Sequence, residues 1–323
     1  MDPRPLRAVA REPGVETAFD PSPQLALRDG RARPLRELPD LARSRDCQRG
    51  RRLGLRGPGR SGAVVRNARA GSRRGADGVR RGTTRRRRRP LMRLAMTGKY
   101  LIVNADDFGA SSGVNRGIVE AHRLGIVTST SLLVDAAGSA EAATLARSAP
   151  TLSVGLHVAL EPRDGTNGWT AGLGEELSRQ ADRFVELMGC SPSHVDSHRN
   201  VHRAPGLLPG FVDLARRWGV PLRGHSPIHV LPSFYGQWAG ESHPEHIGVA
   251  GMARILESKV GVGITELICH PGYCDPQLCS SYAREREVEL ATLCDPSIRH
   301  TLADFGIELV NHQDLGRLVV RTP

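Results

Sequence analysis

Short apolar segments alternate with amphipathic patterns along the chain from residue 98 onward. Runs rich in β-branched residues are typical of buried strands, whereas apolar residues repeated every three to four positions indicate helices. The runs predict seven strands, at residues 100–105, 126–134, 152–160, 194–197, 221–224, 265–269 and 307–311. The helical patterns lie between them, at residues 114–124, 139–148, 177–188, 208–218, 252–260, 285–293 and 298–305.

This regular alternation of strand and helix predicts a parallel sheet that is covered by helices. Seven strands in a body of this length favour a (β/α) barrel of the TIM type, distorted or incomplete, over an open sheet. We therefore predict an α/β fold, with one domain over residues 98–317.

Residues 1–95 do not follow the pattern. They hold 26 of the 45 basic residues, all of them arginine, and they end near the tract Arg85–Arg89. A segment with few aromatic residues and no sustained apolar period cannot bury enough surface to offset the entropy lost on ordering. We expect a disordered extension. Since Met92 and Met96 stand directly before the first strand, an over-long gene model would explain it.

The net charge of +11 therefore belongs to the extension, because the remainder holds 25 of the 34 acidic residues and all 12 histidines. No apolar run is long enough for a transmembrane helix, and no signal-peptide core follows the arginine tract. The body holds an odd number of cysteines, five, without the framework of a small disulfide-rich domain, which favours reduced thiols and a cytoplasmic protein. Nucleic-acid binding through the arginine tract is an alternative that the acidic body disfavours.

Side chains able to bind metal or transfer protons stand at the ends of four predicted strands. Asp106 and Asp107 follow the first strand, His157 lies late in the third, His198 follows the fourth and His270 follows the sixth. Functional groups of parallel (β/α) folds collect at the carboxyl ends of the strands. We therefore expect these five side chains to lie close together.

One carboxylate and two imidazoles form a familiar ligand set for a divalent cation that keeps positions open for water and substrate. Asp107, His157 and His198 would supply it. Asp106 could then act as the base toward water, and His270 could protonate a departing nitrogen or oxygen. The set predicts a metal-assisted hydrolase of acyl groups.

Three further residues are predicted to contact the substrate: His202, Arg223 and Tyr273. For His202 the alternative is ordinary hydrogen bonding within the protein, and for Arg223 it is a position at the surface. Asp196 shares a strand face with His198, so it is a candidate to orient a metal-binding imidazole.

Four motifs together resemble those of the YdjC-like carbohydrate deacetylase family, which includes chitooligosaccharide deacetylases and hopanoid-associated proteins. They occur in the family's order, as NADDFG at 104–109, GLH at 155–157, HVDSH at 194–198 and CHPGY at 269–273. The resemblance runs from about residue 100 to about residue 315.

The resemblance implies a distorted (β/α) barrel related to polysaccharide deacetylases, with a bound magnesium or zinc ion. It implies removal of N-acetyl groups from amino sugars, such as N-acetylglucosamine units of an oligosaccharide or glycoconjugate. It matches Asp107, His157 and His198 to metal ligands, Asp106 to the base and His270 to the acid. A metal-dependent hydrolase of a phosphoester or a non-sugar amide is the rival hypothesis, and a homodimer is left open.

Overall fold

The computed structural model describes residues 97–160, 172–276, 278 and 280–320. The extension predicted for residues 1–95 lies outside the described residues. The strands are β1 (Lys99–Phe108), β2 (Ser129–Leu132), β3 (Ser153–Val158), β4 (Val195–Ser197), β5 (His229–Leu231), β6 (Gln237–Trp238), β7 (Glu241–Ser242), β8 (Gly263–Cys269) and β9 (Ile307–Leu309). The helices are α1 (Ser112–Arg123), α2 (Ser139–Arg147), α3 (Leu173–Met188), α4 (Leu208–Trp218), α5 (Pro244–Ile247), α6 (Val249–Lys259), α7 (Ala283–Cys294), α8 (Pro296–Asp304) and α9 (Leu315–Val320).

Seven of these strands form one parallel sheet, in the order β4-β3-β2-β1-β8-β5, with β9 also paired to β1. Within the described part of the chain the sheet ends at β4 and β5 and does not close. The prediction of an incomplete (β/α) barrel is therefore confirmed. None of the helices described is both long enough and apolar enough to cross a membrane.

The central strand β1 is buried from Leu101 to Phe108. It pairs with β8 on one side, while β9 and β2 share its other side. A parallel strand covered on both faces requires an almost continuous apolar run, which residues 101–103 provide. The same burial places the polar end of β1 deep in the protein.

Two details of the strand prediction are wrong. Residues 221–224 contribute only an isolated pairing of Leu222 with Val195 of β4, while the sequence analysis missed β5 at the opposite edge of the sheet. The three residues of β5 start with an exposed histidine, so they carry little apolar signal. Asp106 and Asp107 also lie within β1 rather than after it.

Helix α1 packs closely against the turn that follows His270. A Cβ atom added at Gly117 would lie 2.6 Å from the Cα of Gly272. That distance is well inside van der Waals contact, so the helix and the turn can approach this closely because position 117 is glycine.

We expect Gly117→Ala to lower the free energy of unfolding by about 1–3 kcal/mol, because the added methyl group must push the turn away. Thermal or urea denaturation measures this change. The matched control is Gly261→Ala, where the added Cβ meets no described atom within 4 Å and the expected change is within about 0.5 kcal/mol. Equal stability of the two variants would show that the turn can yield at no cost.

Candidate metal centre and active site

The end of β1 directs two neighbouring carboxylates into one site. In a regular strand the side chains of Asp106 and Asp107 would point to opposite faces. Here the register with β2 shifts between Ala105 and Phe108, and Asp107 adopts a left-handed backbone with φ 67°. This β-bulge aims both side chains toward His157, and both carboxylates are buried.

Asp107, His157 and His198 each offer one donor atom to a compact cluster, and these atoms lie within 4.8 Å of one another. The Oδ1 atom of Asp107 lies 3.4 Å from Nε2 of His157 and 3.1 Å from Nδ1 of His198. His157 is buried on β3, whereas 43 % of the His198 side chain is exposed. The cluster is therefore reached from the His198 side.

The ring of His157 is held from behind by polar groups. Its Nδ1 atom lies 2.7 Å from Oδ1 of Asp196 on β4 and 3.1 Å from Oγ of Ser131 on β2. These contacts turn Nε2 toward Asp107. A carboxylate behind an imidazole is the usual way in which proteins orient a metal-binding histidine.

The cluster carries a surplus of negative charge. Burial alone would lower the pKa of His157, but the carboxylates of Asp196 and Asp106 raise it to about 10. Surroundings that stabilise a proton on this ring also stabilise a cation beside it. One carboxylate oxygen and two imidazole nitrogens are therefore both chemically and electrostatically suited to a divalent cation.

Asp106 is held by the buried guanidinium of Arg223. The two side chains form a bidentate pair, with Nη1 donating to Oδ2 at 2.8 Å and Nη2 to Oδ1 at 2.7 Å. Burial would raise the pKa of Asp106, but Arg223 and His157 together hold it far below its ordinary value. The carboxylate is therefore ionised and fixed in orientation.

Arg223 is not free for the substrate contact that we expected. Only 2 % of its side chain is exposed, and it also pairs with Asp196 at 2.6 Å and with Glu266 at 2.8 Å. Three carboxylates from three strands occupy this one guanidinium. Its place is beneath the site rather than at its surface.

His202 is fully buried as well, which does not fit the predicted substrate contact. Its Nδ1 atom lies 2.6 Å from Oγ of Ser197, and its Nε2 atom lies 3.0 Å from the carbonyl oxygen of Arg223. Both ring nitrogens therefore have partners in the protein, which is the alternative that the sequence left open.

Tyr273 anchors the turn after His270 to α1. Its hydroxyl donates to Oε2 of Glu120 at 2.6 Å, and its backbone N–H donates to the carbonyl oxygen of Gly113 at 3.2 Å. The hydroxyl of Tyr273 is therefore engaged by the helix, and its expected substrate contact stays a prediction.

His270 follows β8 and is partly exposed, at 22 % of its side chain. Burial lowers the pKa of its ring. Its backbone N–H donates to the buried carboxylate of Glu289, which also accepts a hydrogen bond of 2.6 Å from the hydroxyl of Tyr282. Burial raises the pKa of Glu289 to about 8. Helix α7 therefore holds the segment that carries His270.

Sequence reasoning missed two residues of α7 that contact the site, Arg286 and Glu289. Arg286 donates from Nη2 to Oδ2 of Asp107 at 2.6 Å, one helical turn before Glu289. The sequence offered only an indirect signal for these two residues. Residues 285–293 form a helix with a weak apolar stripe, so its buried face must include charged residues, and Glu285, Arg286 and Glu289 are indeed buried.

The chain is similar to one known protein family and to several known proteins. A family model described as YdjC-like protein matches residues 100–304. A carbohydrate deacetylase of Geobacillus stearothermophilus is 35% identical over 251 residues, which cover 68% of this chain and 99% of that protein. A chitooligosaccharide deacetylase of Proteus mirabilis (strain HI4320) is 36% identical over 248 residues, or 67% of this chain and 98% of that protein.

One similar solved structure comes from Enterococcus faecalis V583 and is described as a candidate cellobiose-phosphate cleavage protein. It is 30% identical, has a TM-score of 0.59, and the match covers 68% of this chain and 99% of that one. Both the sequence relatives and this structure are thus matched over nearly their whole length.

Proposed function

The chain belongs to the YdjC-like family, and on that premise we propose that it is a carbohydrate deacetylase that removes N-acetyl groups from amino sugars with a divalent cation. One observation carries the proposal. Asp107, His157 and His198, from three separate elements, bring donor atoms within 4.8 Å of one another, and Asp106 lies beside them. A candidate cation site with a neighbouring carboxylate is suited to the hydrolysis of an acyl group.

The three donor atoms that would hold the cation are Oδ1 of Asp107, Nε2 of His157 and Nδ1 of His198. A divalent cation supplies Lewis acidity, which polarises an acetyl carbonyl and makes water more acidic. Two imidazoles beside a single carboxylate suit zinc better than magnesium, which prefers oxygen ligands. We therefore propose zinc as the native ion.

Two side chains would move protons during hydrolysis. Asp106 is ionised and held in place by Arg223, so it is in the correct state to accept the proton of the attacking water. His270 would donate a proton to the nitrogen as the carbon–nitrogen bond breaks, which releases acetate and the free amine. The ring of His270 is 22% exposed, so a departing amine can reach it.

An aromatic surface beside His270 supports a sugar as the substrate. The ring of Tyr235 is 41% exposed, stacks on Tyr282 at 4.6 Å and lies 6.1 Å from the ring of His270. Trp238, three residues further along the chain in β6, is 42% exposed. Half-exposed rings that are backed by another ring are suited to pack against the apolar face of a sugar.

Acetate release tests this function. We expect the purified protein to release acetate from chitobiose or from single N-acetylated sugars, to lose this activity on chelation, and to regain it with zinc. A phosphoester and a non-sugar amide serve as the comparison substrates. Hydrolysis of one of these, without acetate release from any sugar, would contradict the proposal and support a hydrolase of phosphoesters or non-sugar amides.

A further inference from the structure

The two oxygens of Asp107 have different partners. Oδ1 faces the two histidines, at 3.4 Å from His157 and 3.1 Å from His198. Oδ2 accepts a hydrogen bond of 2.6 Å from Arg286. A carboxylate can bind a cation through one oxygen or through both, so the partner of Oδ2 decides which mode is available.

Arg286 is fixed where it stands. Only 7% of its side chain is exposed, and its backbone carbonyl accepts a hydrogen bond of 3.2 Å from the N–H of Gly272. Its Nη1 atom lies 3.4 Å from the carbonyl oxygen of His270. The guanidinium thus joins the carboxylate at the end of β1 to the turn that follows β8.

We propose that Arg286 is a positioning residue that confines Asp107 to one-oxygen binding of the cation and opposes the charge of that cation. The inference rests on the proposed function, since it takes Asp107 as a metal ligand. A charge-assisted hydrogen bond occupies Oδ2 and withdraws electron density from the carboxylate. A cation held by Asp107 would then be bound less tightly, but would supply stronger polarisation to water and to the acetyl carbonyl.

This role predicts opposite changes in affinity and in rate when Arg286 is lost. Removal of a buried positive charge near the cation should tighten binding, and release of Oδ2 should allow a second oxygen to bind. The same change should slow hydrolysis, because a more fully neutralised cation is a weaker Lewis acid. A merely structural arginine would weaken binding and activity together.

The test compares two neutral variants, Arg286→Met and Arg286→Gln, with Arg286→Lys, which keeps the positive charge. We expect Arg286→Met to bind zinc about tenfold more tightly or more, in competition with a chromogenic chelator, and to have a kcat lower by about tenfold at saturating zinc. Zinc-edge X-ray absorption of the same sample should show one additional oxygen ligand. Arg286→Gln removes the charge with a shorter, polar side chain, so it should also bind zinc more tightly.

Arg284→Met is the matched control, because it removes the same charge from an exposed position of α7 and should leave zinc affinity unchanged. Weaker or unchanged zinc binding by both neutral variants, with folding intact by circular dichroism, would overturn the inference while leaving the proposed function standing. If the unmodified protein binds no divalent cation, the proposed metal dependence fails first and the role of Arg286 fails with it.

Discussion

Replacement of Asp106 by asparagine is expected to lower kcat about 10²–10⁴-fold while the protein keeps its divalent cation. The amide cannot accept the proton of water, and the Asp106 side chain is outside the proposed ligand set. The bidentate pair with Arg223 also fixes the orientation of the Asp106 carboxylate. Steady-state kinetics together with metal analysis of the same preparation measures both effects.

The matched variants are Asp107→Asn and His198→Ala, which differ from Asp106→Asn by acting on the proposed ligands. Both should lose the cation as well as the activity, because two remaining donors hold a divalent ion weakly. Full activity of Asp106→Asn would remove the proposed base. Loss of metal in Asp106→Asn would instead place that residue among the ligands.

Arg223→Met is expected to lower the free energy of unfolding by about 3–5 kcal/mol, the largest loss of stability that we predict. The guanidinium is the shared partner of Asp106, Asp196 and Glu266, all of which are buried. Removal of one member of a buried ionic network leaves the others desolvated and uncompensated. Urea denaturation at neutral pH measures the loss.

Arg179→Met provides the comparison, because Arg179 also pairs with two carboxylates, those of Asp135 and Glu176. Its side chain is 51% exposed, so water can replace the lost partner. The expected change is only about 0–1 kcal/mol. If the two arginine variants lose the same stability, burial does not control the strength of the Arg223 network.

The position of the site could be predicted from the sequence because it follows from the strands. Parallel strands deliver their carboxyl ends to one edge, so acidic or histidine residues at four such ends had to meet. Asp107, His157 and His198 are adjacent for this reason. The bulge that aims Asp107 was not visible, because its left-handed backbone depends on the pairing of β1 with β2.

The surroundings of the site were harder to predict, because each residue depends on partners that are distant in the sequence. Arg223 looked equally suited to a substrate or to the surface, and only the convergence of three carboxylates assigns it to the interior. Arg286 and Glu289 belong to a helix with no strand-end rule to mark them. Local pattern identifies the donors of such a site, whereas tertiary contacts identify the residues that hold them.

The central claim is that Asp107, His157 and His198 together bind a divalent cation, and anomalous diffraction at the zinc edge tests it most directly. In crystals grown with zinc, we expect an anomalous peak about 2.0–2.2 Å from Oδ1 of Asp107, Nε2 of His157 and Nδ1 of His198. A zinc-loaded crystal with no peak at this cluster would contradict the account.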